Sequence, residues 1–147
     1  MYEQPRPNPA LLAMTFDQML ERVRYEGAYP TRERAEQAVR NVLAALGRQV
    51  TGDERVELAR CLPHEAALVL TAQIPDTEQL TGWGFVKDLA ARTGATPATA
   101  RWETGAVLAA VSRLAGPDLL ARILHQLPAG YALLFGRAEL RQPQPAA

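Results

Sequence analysis

Apolar residues recur along this chain with the period of amphipathic helices, in short stretches punctuated by Thr, Gly and Pro. Phe16, Met19, Leu20 and Val23 mark one face of a first helix. Thr15 with Gln18 three residues on is a capping box at its start, and Gly27 is placed for a left-handed stop. A second helix is predicted from Thr31, with Ala35, Ala38, Val39, Val42 and Leu46 on its inner face and Gly47 at its close. Arg32 with Glu36, and Glu36 with Arg40, have the spacing to pair on its wet side. Thr51 with Glu54 is a further capping box, opening a short third helix through Val56, Leu58 and Leu62. Proline disfavours α geometry in the residue before it, so Leu62-Pro63 should end that helix and start a fourth that buries Leu68 and Leu70.

The same pattern then returns. Val42-Leu43-Ala44-Ala45-Leu46 reappears as Val107-Leu108-Ala109-Ala110-Val111, an offset of 65 residues that also carries Thr31 to Thr96, Asp53 to Asp118 and Leu62-Pro63 to Leu127-Pro128. With one residue of slippage, Met19-Leu20 and Val23 match Phe85-Val86 and Leu89. Thr96-Pro97 is a strong helix start, followed on one face by Ala100, Thr104, Val107, Leu108 and Val111. Pro117-Asp118 opens another helix carrying Leu120, Ile123, Leu124 and Leu127, and Tyr131, Leu134 and Phe135 can be buried beyond Pro128. No alternating β pattern or hairpin turn occurs. The expected fold is all-α: two tandem pseudo-symmetric units of three to four helices each, packed face to face into one compact bundle. The expected divisions are an N-terminal arm (1–14) docking through Ala10 to Met14, repeat 1 (15–71), a linker (72–82), repeat 2 (83–136) and a C-terminal tail (137–147).

In both halves these motifs form one series. Met19 to Val23, Gly27, Ala35 to Leu46 and Cys61-Leu62-Pro63 correspond to Phe85 to Leu89, Gly94, Ala100 to Val111 and Gln126-Leu127-Pro128. The series resembles two tandem copies of a bacterial family known only as domain-of-unknown-function (DUF) family 2267. The resemblance implies a helical repeat fold and brings no catalytic residues with it. Cys61 stands where the family's pattern has Gln.

Composition narrows the function classes. The 147 residues carry 16 basic and 16 acidic groups, nearly balanced in each half (nine and ten in residues 1–72, seven and six in 73–147), so no electrostatic footprint for nucleic acid is present. No apolar run approaches the roughly 18 residues of a membrane span. The opening residues lack the basic and apolar regions of a secretory signal, and a cytoplasmic location is expected.

Candidate chemistry is sparse. Cys61 and His64 have the spacing of a metal-binding pair, but only His125 remains as another nitrogen donor, so neither a metal nor a cofactor is expected. The spacing from Gly47 to Gly52 mimics a phosphate loop, but Asp53-Glu54 follows where Lys-Ser/Thr is required. Glu103 falls where an inner-face alanine lies in the first half, which suits either a wet seam between repeats or a functional acid. Trp102 aligns with the polar Gln37, a replacement that suits burial against the other repeat or against a partner chain. Trp83 is placed to anchor the linker. These residues point to a non-enzymatic protein-interaction or scaffold module, with a protein partner or a homodimer formed through Trp102. The alternative is a small-molecule-binding protein or enzyme using a cleft between the repeats near Glu103 and His125.

Overall fold

Threonine starts five of the helices in a computed structural model that describes residues 14–137. The elements are α1 (Phe16–Gly27), α2 (Arg32–Gly47), α3 (Gly52–Cys61), α4 (His64–Thr71), α5 (Gly82–Thr93), α6 (Pro97–Gln126) and α7 (Tyr131–Leu134). Thr15, Thr31, Thr81 and Thr96 each accept the backbone N–H three residues on at 3.0–3.2 Å, satisfying one of the donors that a helix start leaves unpaired. Gln18 returns the bond to Thr15 and completes the expected box. Apart from Met14 and Arg137, the expected arm and tail lie outside the described residues.

All described secondary structure is helical, and the helices close around one hydrophobic core. α6 is its centre, packing against α1, α2, α3, α5 and α7. Its inner face presents Ala100, Thr104, Val107, Leu108 and Val111, and α2 presents Ala35, Ala38, Val39, Val42 and Leu46; all ten are buried. Thr104 is tolerated there because its hydroxyl donates to the Ala100 carbonyl at 2.7 Å. Leu62 and Leu127 leave their helices in the extended conformation (φ −91°, ψ 153° and φ −93°, ψ 150°), as a residue before proline should. α6 breaks at Gly116, whose φ of 81° and ψ of 163° only glycine adopts readily, and Pro117 restarts it.

Several local expectations give way to tertiary contacts. Gly27 is the last helical residue of α1, and Ala28 takes the left-handed conformation instead, at φ 54° and ψ 40°. Thr51 makes no side-chain cap; its backbone is held from outside by Gln126. Val56 is half exposed, because Arg55 rather than Val56 joins Leu58 on the inner side of α3, and Leu68 is half exposed on α4, whose buried face is Ala66 and Leu70. The Arg55 guanidinium donates to the carbonyls of Gly47, Val50, Leu70 and Gln73, so one side chain closes the ends of both α2 and α4. Arg32 turns back to Asp17 (3.6 Å) and Glu21 (3.5 Å) rather than pairing with Glu36, whereas Glu36 and Arg40 do pair at 2.7 Å. Trp83 is exposed; the segment before α5 is fixed instead through Leu80, whose N–H donates to Gln49 and whose carbonyl accepts from the Tyr131 hydroxyl. Two further contacts lock α6 to α3: Arg122 grips Glu57 with two bonds of 2.6 and 2.9 Å, and the Gln126 amide reaches Glu54 at 3.0 Å.

Candidate functional site

The corner between α1 and α2 carries the most unusual arrangement in the protein. Ala28 reverses the chain there, and the Tyr29 N–H closes the turn on the Arg24 carbonyl at 2.9 Å. The Tyr29 ring then folds onto Gly27, where any β-carbon would collide with it. α6 crosses this corner with two adjacent residues that play opposite parts.

Trp102 faces outward. Its indole Nε1 donates to the Gly27 carbonyl at 2.8 Å, yet the residue remains 58% exposed. The one polar atom of the side chain is therefore satisfied within the molecule, and much of what it shows to solvent is apolar ring. Beside it runs an open groove of about 450 Å³, lined by Glu26, Ala98, Arg101, Trp102, Gly105 and Ala106. Ala98 lies one turn before Trp102 on α6, and Gly105 and Ala106 lie one turn after it, so small residues flank the large one. Glu26 is braced by Arg113 at 3.0 Å. Arg101 makes one long bond, 3.4 Å, to the carbonyl of the half-exposed Leu133.

Glu103 faces inward and is 5% exposed. The nearest cation is Arg34, 4.0 Å from Oε2, while Oε1 has no hydrogen-bond partner among the described residues. The buried hydroxyl of Tyr29 is likewise unpartnered. Desolvation raises the Glu103 pKa, and Arg34 only partly opposes it. Burial, helped by the Glu103 charge, pushes the Tyr29 phenol up to about 12 against the pull of Arg34. Arg34 lies 5.9 Å from the centre of the Tyr29 ring and spends its shortest bond, 2.6 Å, on Gln37. A carboxyl, a phenol and a guanidinium thus meet where both the carboxyl and the phenol are shielded from solvent.

His125 does not join them. It is exposed on the second segment of α6, beyond the Gly116 break, and neither it nor Glu103 lines the groove at Trp102. Cys61 is partly buried, and desolvation followed by the charge of Glu57 raises its thiol pKa, which disfavours the nucleophilic thiolate. Among the described residues no group of three His, Cys, Asp or Glu side chains is placed to hold a metal ion, and no helix is long and apolar enough to cross a membrane.

Periodicity marks Trp102 and Glu103 as out of place, but it does not reveal Tyr29 and Arg34 as their neighbours. Tyr29 sits in the turn before Thr31, where helical spacing says nothing, and Arg34 reads as an ordinary surface charge of a first turn. No curated protein matches the chain. The family comparison does, as one unbroken copy over residues 16–134 that spans both halves and includes the α1–α2 corner and the Trp102 face, so the chain belongs to the family of uncharacterized conserved proteins designated DUF2267.

Proposed function

We propose that this protein is a non-enzymatic protein-interaction module of the cytoplasm whose contact surface is the face of α6 around Trp102. One observation carries the reading: a tryptophan is fixed by the bond to Gly27 while staying more than half exposed. A large apolar group held in one pose loses little freedom when a partner covers it, which is what makes aromatic residues effective anchors. The adjacent groove supplies the recess that such contacts use.

The test is photo-crosslinking in the host cell from a reactive residue placed at Ala98, with Lys87 on α5 as the control position. Polypeptide adducts specific to position 98 and lost in Trp102→Ala would support the reading. Equal adducts from both positions, or none from either, would overturn it. The small-molecule alternative has one observation in its favour, the two buried unpartnered oxygens of Tyr29 and Glu103. A small added mass in native mass spectrometry that is lost on denaturation and absent from Glu103→Gln would replace the interaction reading with that one.

We further propose that the two halves are diverged copies related by an approximate two-fold. The matched conformations of Leu62 and Leu127 and the threonine caps at Thr31 and Thr96 support this. So does the contact between Glu57 and Arg122, which are 65 residues apart, the offset of the sequence repeat. Residues equivalent by that offset can meet only near the axis. Identical charges there would repel, so divergence to one acid and one base favours a single chain over two identical units.

A further inference from the structure

We infer that the occupant of the Trp102 face is a second copy of this chain, paired two-fold through the first segment of α6. The inference rests on the reading of this face as a contact surface and adds the identity of the partner. A two-fold interface requires a self-complementary patch, because each residue meets the partner's version of the same surface. This patch has both halves of such a fit. Trp102 is a projection, and Ala98, Gly105 and Ala106 form a recess one turn away on either side of it along the same helix. Two antiparallel α6 segments crossing near residue 102 would set each indole against the other copy's small side chains, which allow helix axes to approach closely.

The charges agree with this pairing. The groove is bordered by one acid, Glu26, and one base, Arg101. An antiparallel pairing that crosses between them sets Glu26 of each copy, which Arg113 braces, toward Arg101 of the other, whereas a uniformly acidic or basic partner would match only one of them. The Arg101 guanidinium lies over Gly105 and swings aside to open that end of the recess, which its long bond to the Leu133 carbonyl permits, and Leu133 itself extends the apolar surface at 53% exposure. The formal net charge of zero leaves no long-range repulsion between copies.

Sedimentation equilibrium of the full chain over a wide concentration range tests the proposal. The wild type should show a reversible monomer–dimer equilibrium. Trp102→Ala, which removes the projection, and Ala98→Glu, which blocks the recess at an exposed site, should each weaken it about thirtyfold. Lys87→Glu should not. Circular dichroism and melting of each variant separate lost pairing from lost folding, and Ala98→Glu serves if Trp102→Ala melts early. A chain that stays monomeric at millimolar concentration, or a dimer indifferent to both substitutions, overturns the proposal. If such a monomer still crosslinks in cells from position 98 to a different polypeptide, the contact surface stands and only the second copy falls. If it crosslinks to nothing, both fall.

Discussion

The side-chain amide of Gln126 holds the backbone of Thr51 by both of its polar groups: Oε1 accepts the Thr51 N–H at 2.8 Å, and Nε2 donates to the Thr51 carbonyl at 3.2 Å. The same Nε2 reaches Glu54. A residue at the end of α6 thereby fixes from outside the backbone from which α3 starts. Thr51→Ala should accordingly cost little, within about 0.5 kcal/mol, although Thr51 occupies a capping position. Gln126→Glu loses the donor and sets a carboxylate against Glu54, and should cost about 1–3 kcal/mol. Urea denaturation of the two variants checks the contrast; equal losses would show that the Gln126 clamp contributes nothing.

Arg55 presents the strongest case for a single polar side chain holding the fold. Removing the guanidinium strands carbonyls at the ends of α2 and α4. Arg55→Met, which keeps the apolar stem, should destabilise by about 2–4 kcal/mol. Arg55→Lys should recover only part of that, because an ammonium cannot present the same planar fork. Melting temperature and denaturant midpoint both report it.

Reversal of charge tests the contact between the halves. Glu57→Arg alone places two guanidinium groups together and should lower stability, as should Arg122→Glu beside Glu54 and Glu57. The double exchange should be more stable than the two single losses predict by addition. A double-mutant cycle measures that coupling, and additivity would mean the pair is incidental.

Glu103 sets a pH dependence of defined sign. Its pKa is higher in the folded protein than the ordinary 4.5, because burial disfavours the charged form. The folded state therefore binds this proton more tightly. The resulting stabilisation is complete below the unfolded value and is lost as pH rises through the folded one. Glu21, held low by its bond to Arg24, and Glu57, held low by its bond to Arg122, act in the opposite sense, their contribution being lost as pH falls through their own lowered values. Stability should thus improve on mild acidification from neutral before falling in stronger acid. Glu103→Gln should raise stability at neutral pH by about 1 kcal/mol and abolish the improvement. Thermal melts from pH 4 to 8 test this; a Gln variant no more stable than the wild type at pH 7 would show the carboxylate to be well compensated.

Gly116 offers a purely conformational test. Nothing lies within 4 Å of a β-carbon placed there, so Gly116→Ala meets no obstacle other than its own backbone. A φ of 81° with a ψ of 163° should still cost about 1–3 kcal/mol. A neutral substitution would mean that the two segments of α6 can join differently.

The helices were legible in the sequence because their signals are local. Thr15, Thr31 and Thr96 announce their caps within three residues, the inner faces of α2 and α6 follow from spacing, and Leu-Pro specifies an extended residue wherever it occurs. What escaped depends on atoms distant in the chain. Val56 reads as core until four carbonyls converge on its neighbour Arg55, and no window along α3 contains all of them. At the candidate site, Trp102 and Glu103 stood out as misfits of the repeat, and both occupy special positions. The link from Trp102 to Gly27 spans 75 residues and has no sequence signature. Glu103 and His125, read together as bordering a cleft between the halves, lie on the two segments of α6 that the Gly116 break separates.

The central place of α6 also governs how this protein can be made. Residues 14–71 leave the ribosome before α5 to α7, and α1 to α4 can pack on one another as they appear. The inner face of α2 nevertheless has no lid until the first segment of α6 has been translated, and the α3 end stays open until Gln126 has emerged. Native assembly therefore waits for α6, leaving until then a half-built unit with its apolar side uncovered. Such an intermediate invites chaperones or a neighbouring nascent copy from the same message.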